Sequence, residues 1–232
     1  METIEIQRPG AEEIRARHDR LLTRLRTVAE ASGHDPAALR IVAVTKGHPL
    51  SVARTAAAAG LERLGESRVQ EAEPKVEALP GVEWHFIGRL QSNKVRRAVR
   101  AFPVIHSVDS AELLGRVEAV AAEEGRAPEV LLQVNVSGEA SKSGMAPQDL
   151  DAVRAPTTAR LVGLMTIAPM DAGEGEARRV FGRLRELRDR LGQRLGMALP
   201  ELSMGMSGDA EAAAAEGATL VRIGTALFGP RG

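Results

Sequence analysis

The sequence predicts a single (β/α)8 barrel of the TIM type, and three observations carry that prediction. Eight short apolar runs, at 41–45, 61–64, 83–87, 103–107, 129–136, 160–166, 201–204 and 219–223, alternate with helical stretches. Strand and helix alternating in this way build a parallel sheet. The repeats average about 25 residues each, which favours closure into one barrel over two domains. No G-x-G-x-x-G follows the first run, so the open doubly wound sheet is the second choice. The expected layout is a tail over residues 1–10 and one barrel domain over 11–232.

The elements follow in order. Pro9 and Ala11 open an extra N-terminal helix to about Ser32, with Ile14, His18, Leu21, Leu22, Leu25, Val28 and Ala29 at helical spacing and Gly33 as its stop. The run Ile41–Val44 has the β-branched and small residues of a strand buried on both faces. Crossover helices are predicted over 50–59, 69–79, 93–101, 110–124, 147–153, 176–195 and 209–216, several closed by Gly or Pro. The stretch EARRVFGRLRELRDRLGQR at 176–194 sets Val180, Leu184, Leu187 and Leu191 against alternating charges, as a solvated amphipathic helix does.

Composition removes several classes of function. Thirty-one basic and 31 acidic residues give a formal net charge of zero, so no global field gathers nucleic acid. Apolar runs fall far short of the roughly 20 residues that span a bilayer, and the start METIEIQRPG lacks the pattern of a secretory signal. A cytoplasmic protein without membrane contact is expected. The absence of cysteine excludes disulfides and thiol chemistry, and the five histidines have no metal-ligand spacing. GLERLGES has the glycine spacing of a P-loop, but Glu66 stands where that motif needs lysine. Two oddities remain: only four basic residues are lysines, Lys46, Lys75, Lys94 and Lys142, and there is no tyrosine. Coding bias accounts for an arginine excess, yet a lysine retained in such a chain is a candidate for chemistry that arginine cannot do.

In a barrel of this type the active face is the C-terminal end of the strands. There the runs deliver Thr45-Lys46, Gly65-Glu66-Ser67, His85 with GRLQSNK, His106-Ser107, Asn135 with SKSG, Met165-Thr166, Met204 to Asp209, and Arg222 to Thr225. Strand alternation puts Val42, Val44 and Lys46 on one face, so inward valines bring the ammonium to the barrel mouth. A desolvated amine there is a nucleophile toward a carbonyl, giving a Schiff base; a snorkelling surface lysine is the alternative. The loops after strands seven and eight, GMSGD and IGTALFG, carry the glycines and helix starts that cradle phosphate in such barrels. Leu220, Arg222 and Gly224 share a face, so Arg222 turns inward, either into a salt bridge with Glu66 or toward the ring nitrogen of pyridoxal phosphate (PLP).

AVTKGHP, GESRVQEAEPK, WHFIGRLQSNK, IHSVDS, LLQVNVSGEASKSGM, GLMTIAP and LSMGMSGDAEAAAAEGATLVRIGTALFG, in order between 41 and 229, resemble the pyridoxal phosphate homeostasis proteins, the proline synthase co-transcribed type. The resemblance implies PLP fold-type III, the barrel of the alanine racemase N-terminal domain, with PLP as an internal aldimine on Lys46. It places Arg222 at the pyridine nitrogen, Ser207, Gly224 and Thr225 at the phosphate, and Met204, Met165 and His85 in the ring pocket. It also implies a monomer that exchanges PLP with apo-enzymes. Two positions depart from the family pattern: G-E-N-Y reads Gly65-Glu66-Ser67-Arg68 here, and Arg89 replaces a usual proline or histidine.

Three functions compete. A carrier or buffer of PLP needs only the binding groups. A racemase-like enzyme resembling alanine racemase needs a tyrosine from a second β-domain, and this chain has no tyrosine. A Schiff-base aldolase acting on a sugar phosphate would use Lys46 with no cofactor.

Overall fold

The computed structural model describes residues 8–139, 143–169 and 171–230. Ser141 and Lys142 of the SKSG segment, together with residues 1–7 of the tail, lie outside the described residues. Eight parallel strands close into a barrel in chain order. They are β1 (Arg40–Val44), β2 (Arg63–Glu66), β3 (Glu83–Phe86), β4 (Val104–Val108), β5 (Glu129–Gln133), β6 (Arg160–Met165), β7 (Glu201–Ser203) and β8 (Leu220–Ile223). The helices are α1 (Ala11–Ala31), α2 (Leu50–Ala58), α3 (Val69–Ala78), α4 (Val95–Ala101), α5 (Ala111–Glu123), α6 (Glu174–Leu195), α7 (Ala210–Ala215) and α8 (Thr225–Phe228). The predicted fold class is therefore the observed one.

Alternation along the strands sorts side chains into two cores. Ile41 and Ala43 on β1 join Leu64, Phe86, Ile105 and Leu202 in the outer core beneath the helices. Val42, Val104, Leu131, Val162, Met165 and Leu220 fill the barrel interior. Helix α1 lies over the outside near β1 and β8, where Arg15 Nε donates to the Ala59 carbonyl at 2.9 Å and Arg17 to the Leu227 carbonyl at 3.0 Å. Among the described residues no helix is long and apolar enough to cross a membrane.

Some boundaries differ from the expectation. β2 runs two residues further along the chain, because its partner in register is β3 and its last residue, Glu66, is buried by an ion pair that an apolar run cannot announce. The helix expected over 147–153 is a 3-10 turn, Pro147–Ala152, held at its start by Asp149 accepting from the Ala146 N–H at 3.2 Å.

The first residues of six strands are charged and close the N-terminal face in pairs. Arg63 lies opposite Glu83 in register and 3.1 Å from it, Glu129 opposite Arg160 at 2.6 Å, and Arg40 reaches Glu201 at 2.6 Å. Opposite charges facing each other across β2–β3 and β5–β6 stabilise the sheet and oppose register slips, and the Arg40–Glu201 pair spans β8 between β1 and β7.

β6 meets β7 closely at Gly163, where a Cβ would lie 1.9 Å from the Glu201 carbonyl oxygen. Backbone cannot yield as a flexible side chain can. Gly163→Ala is expected to destabilise the barrel by about 1–3 kcal/mol, read as a lower urea midpoint with an unchanged slope. An unchanged midpoint would mean the β6–β7 contact is looser than the structure has it.

Candidate functional site

The C-terminal rim is assembled from three neighbouring strand ends. β1 pairs with β8 in the register Val42↔Arg222 and Ala43↔Ile223, and the Arg222 N–H donates to the Gly205 carbonyl beyond β7 at 3.0 Å. Lys46 stands half-buried in the turn two residues past Val44, and a Cβ on Gly224 would come to 3.4 Å from the Val44 carbonyl oxygen. Ser207, Gly208 and Thr225 are exposed on the adjoining loops, and Asp209 Oδ1 ties the first of these by accepting from the Met206 N–H at 2.5 Å. The strand order thus brings Lys46, Ser207, Gly224 and Thr225 to one sector of the mouth, above Arg222 and Met165.

Arg222 is buried. Its two terminal nitrogens donate to Ser203 Oγ at 2.7 Å and to the Thr166 carbonyl at 3.0 Å. Burial lowers its pKa from 12.5 to about 10, with the charge of Asp209 acting the other way, so it is a cation at neutral pH. The alternative salt bridge to Glu66 does not form. Alternation turns Gly65 into the barrel against Val42 and turns Glu66 outward to α3.

Below Arg222 a polar column crosses the interior. Ser203 Oγ lies 2.8 Å from His106 Nδ1, His106 Nε2 lies 2.7 Å from His85 Nδ1, and His85 Nε2 lies 2.9 Å from Glu83 Oε1. Both imidazoles are buried, and burial pushes both pKa values below the usual 6.5, that of His106 far below because His85 and Arg222 add to the effect. Both rings are neutral. Glu83 is held below the ordinary carboxylate range, first by its bond to His85, against partial burial.

Three expectations change here. His106 is no rim residue, because β4 continues to Val108 and leaves it inside the barrel. His85 does not join the rim group directly; two intervening groups separate it from Arg222. Met204 is fully buried in the outer core, since the alternation that turns Ser203 inward turns its neighbour outward. Met165 is in the barrel interior.

A second buried cluster fixes the strand that carries Lys46. Thr45 Oγ1 donates to Glu66 Oε1 at 2.6 Å, while Lys75 Nζ from α3 donates to the same oxygen at 2.6 Å and to the Thr45 carbonyl at 3.1 Å. Lys75 is thus a clamp on the end of β1. Sequence reading missed Ser203, Glu83 and this clamp. Its available signal was an acid and a lysine nine positions apart on adjoining strand and helix.

Comparison with known proteins agrees with this fold. The family described as "Alanine racemase, N-terminal domain" matches residues 17–232. Alanine racemase from Clostridium difficile superimposes with a TM-score of 0.68 at 14% identity, covering 89% of this chain and 56% of the racemase, a likeness of fold alone. A pyridoxal phosphate homeostasis protein of Pseudomonas aeruginosa is 46% identical over 91% of this chain and 93% of its own length, and one of Synechocystis is 42% identical over 84% and 93%. PipY of Synechococcus elongatus, solved without PLP, superimposes with a TM-score of 0.80 at 42% identity over 88% of this chain and 98% of PipY; with PLP bound it gives 0.78. The chain belongs to the pyridoxal phosphate homeostasis protein family.

Two predictions rest on these clusters. The unfolded chain takes up protons near pH 6.5 that folded His85 and His106 refuse, so stability is lost as pH falls below about 6.5, by up to ~1.4 kcal/mol per pH unit for each ring. Urea unfolding at pH 7 and 5.5 should show this loss, and His106→Gln should lessen it; a pH-independent stability across that window would refute the neutral pair. Lys75→Met, which leaves Glu66 buried without its cation, should cost about 3–5 kcal/mol by the same measurement, whereas a cost near that of a surface change would deny the clamp.

Proposed function

We propose that this protein binds PLP at the β1–β7–β8 rim and holds it as an intracellular reserve without turning over a substrate of its own. The observation that carries the reading is the placement of one half-buried amine, Lys46, beside two exposed glycine-bearing loops and over a buried arginine. That donor set fits an aldehyde bearing a phosphate and a ring nitrogen. Lys46 would be the covalent anchor, Ser207, Gly224 and Thr225 the phosphate contacts, and Arg222 and Met165 the groups at the ring. When bound, the cofactor supplies an electrophilic carbon and an electron sink.

The chain's own groups favour holding over turnover. Arg222, anchored by Ser203 and Thr166, presents a fixed cation that disfavours protonation of the ring nitrogen and so weakens the sink. No tyrosine exists here to act as a second acid/base. PipY, a 40% identical relative, is known with PLP bound, which supports the cofactor but leaves aldolase chemistry without a comparable precedent among these relatives. A cytoplasmic monomer that passes PLP to apo-enzymes is part of the same proposal.

Purified protein incubated with PLP should show the long-wavelength band of the lysine-bound cofactor. Lys46→Ala should lose that band yet retain weak, phosphate-anchored binding. A band that persists in Lys46→Ala would remove the lysine from its role, and a wild-type protein that takes up no PLP would remove the cofactor.

A further inference from the structure

Among the described residues no carboxylate forms an ion pair with Arg222, and Asp209 acts on it only through space. The polar column beneath it ends instead at a carboxylate on the opposite face of the barrel. We propose that Glu83 is a second, remote counter-charge of Arg222 besides Asp209, acting through a one-way chain of hydrogen bonds, and is thereby a positioning residue for the ring-nitrogen end of the site.

The direction follows from the two ends. A guanidinium can only donate, and an ionised carboxylate can only accept. Glu83 therefore takes a proton-bearing Nε2 from His85, which in a neutral ring leaves Nδ1 bare. The bare Nδ1 accepts from His106 Nε2, leaving the Nδ1 of that ring bare in turn. That nitrogen accepts from the Ser203 hydroxyl, whose oxygen accepts from Arg222. Every donor then points from Arg222 toward Glu83, and both histidines are fixed as the Nε2–H tautomer. In the reverse direction the Ser203 oxygen would receive two donors and the Glu83 carboxylate would face a bare nitrogen. Aligned bonds in a low-dielectric interior polarise one another, so the negative charge at the foot is felt at the head.

Glu83 is partly exposed, side-chain accessibility 44%, and is also 3.1 Å from Arg63. Glu129, on the same face, pairs with Arg160 and makes no bond to the column, reaching His85 only through space. Glu129 is the natural control.

The cofactor half of this inference rests on the proposed PLP binding; the chain itself does not. Nitrogen-15 NMR of the histidine side chains in cofactor-free protein should find His85 and His106 both neutral with hydrogen on Nε2. In Glu83→Gln, whose amide can donate as well as accept, both rings should become tautomer mixtures. In Glu129→Gln they should stay as in wild type. Glu83→Gln should also hold PLP about fivefold more weakly and shift the band of the bound cofactor, with Glu129→Gln matching wild type in both. Hydrogen on Nδ1 of either ring in wild type, or a charged ring near pH 7, would overturn the one-way chain. Unchanged tautomers, affinity and band in Glu83→Gln would overturn the remote counter-charge. If wild-type protein takes up no PLP, the cofactor reading fails instead, and the tautomer measurement alone decides the chain.

Discussion

A guanidinium inside a barrel is the constraint around which this interior is organised. Arg222 cannot shed its proton as a buried lysine or histidine can, so its charge has to be solvated by the protein. Most of the interior offers nothing for that purpose: Val42, Val104, Leu131, Val162, Met165 and Leu220 are apolar. The remaining space is given to Ser203, His106 and His85, which would be costly as isolated polar groups in such a core and are acceptable as one connected series. The thin polar column and the apolar packing beside it are thus one solution. Neutral imidazoles suit it because they add no second charge to the one already buried.

The two faces of the barrel divide the work. On the N-terminal face, charged strand starts pair off as Arg63 with Glu83, Arg160 with Glu129 and Arg40 with Glu201, which closes the barrel and fixes its register. On the C-terminal face the strand ends stay polar and partly open at Lys46, Ser207 and Thr225. A rim built on loops would be imprecise without support from below. The Thr45–Glu66–Lys75 cluster supplies it on the outer side of β1, and the Ser203–Arg222 contact supplies it on the inner side of β7 and β8.

The barrel was legible in the sequence because strand and helix periods differ and repeat eight times, a signal that survives errors at individual boundaries. The rim residues were legible for the same reason: barrel geometry says which end of each strand matters. What alternation alone left unread were side chains whose role depends on a partner in another strand. Met204 and Ser203 exchange places between core and site when the parity of a three-residue strand is set by one inward contact. His106 looked like a rim residue while its strand was taken to end at 107, and became an interior one when the strand continued. Lys75 was a fair candidate for chemistry from its rarity, and only the fold shows its ammonium spent on Glu66 and the Thr45 carbonyl.

The shared barrel with alanine racemase raises the question of what separates holding a cofactor from using it. The racemase chain extends well beyond the part matched here, since the match covers 56% of it. A lysine on one side of a planar substrate suffices to bind and to exchange, but inversion needs an acid/base on the other side as well. Among the residues of this chain no tyrosine is present to take that part, and the interior histidines are engaged below Arg222 and kept neutral by burial. The groups that would otherwise supply proton transfer are thus committed to keeping the arginine in place. Under the proposed reading, an interior that spends its titratable residues on holding one cation still suits retention better than turnover.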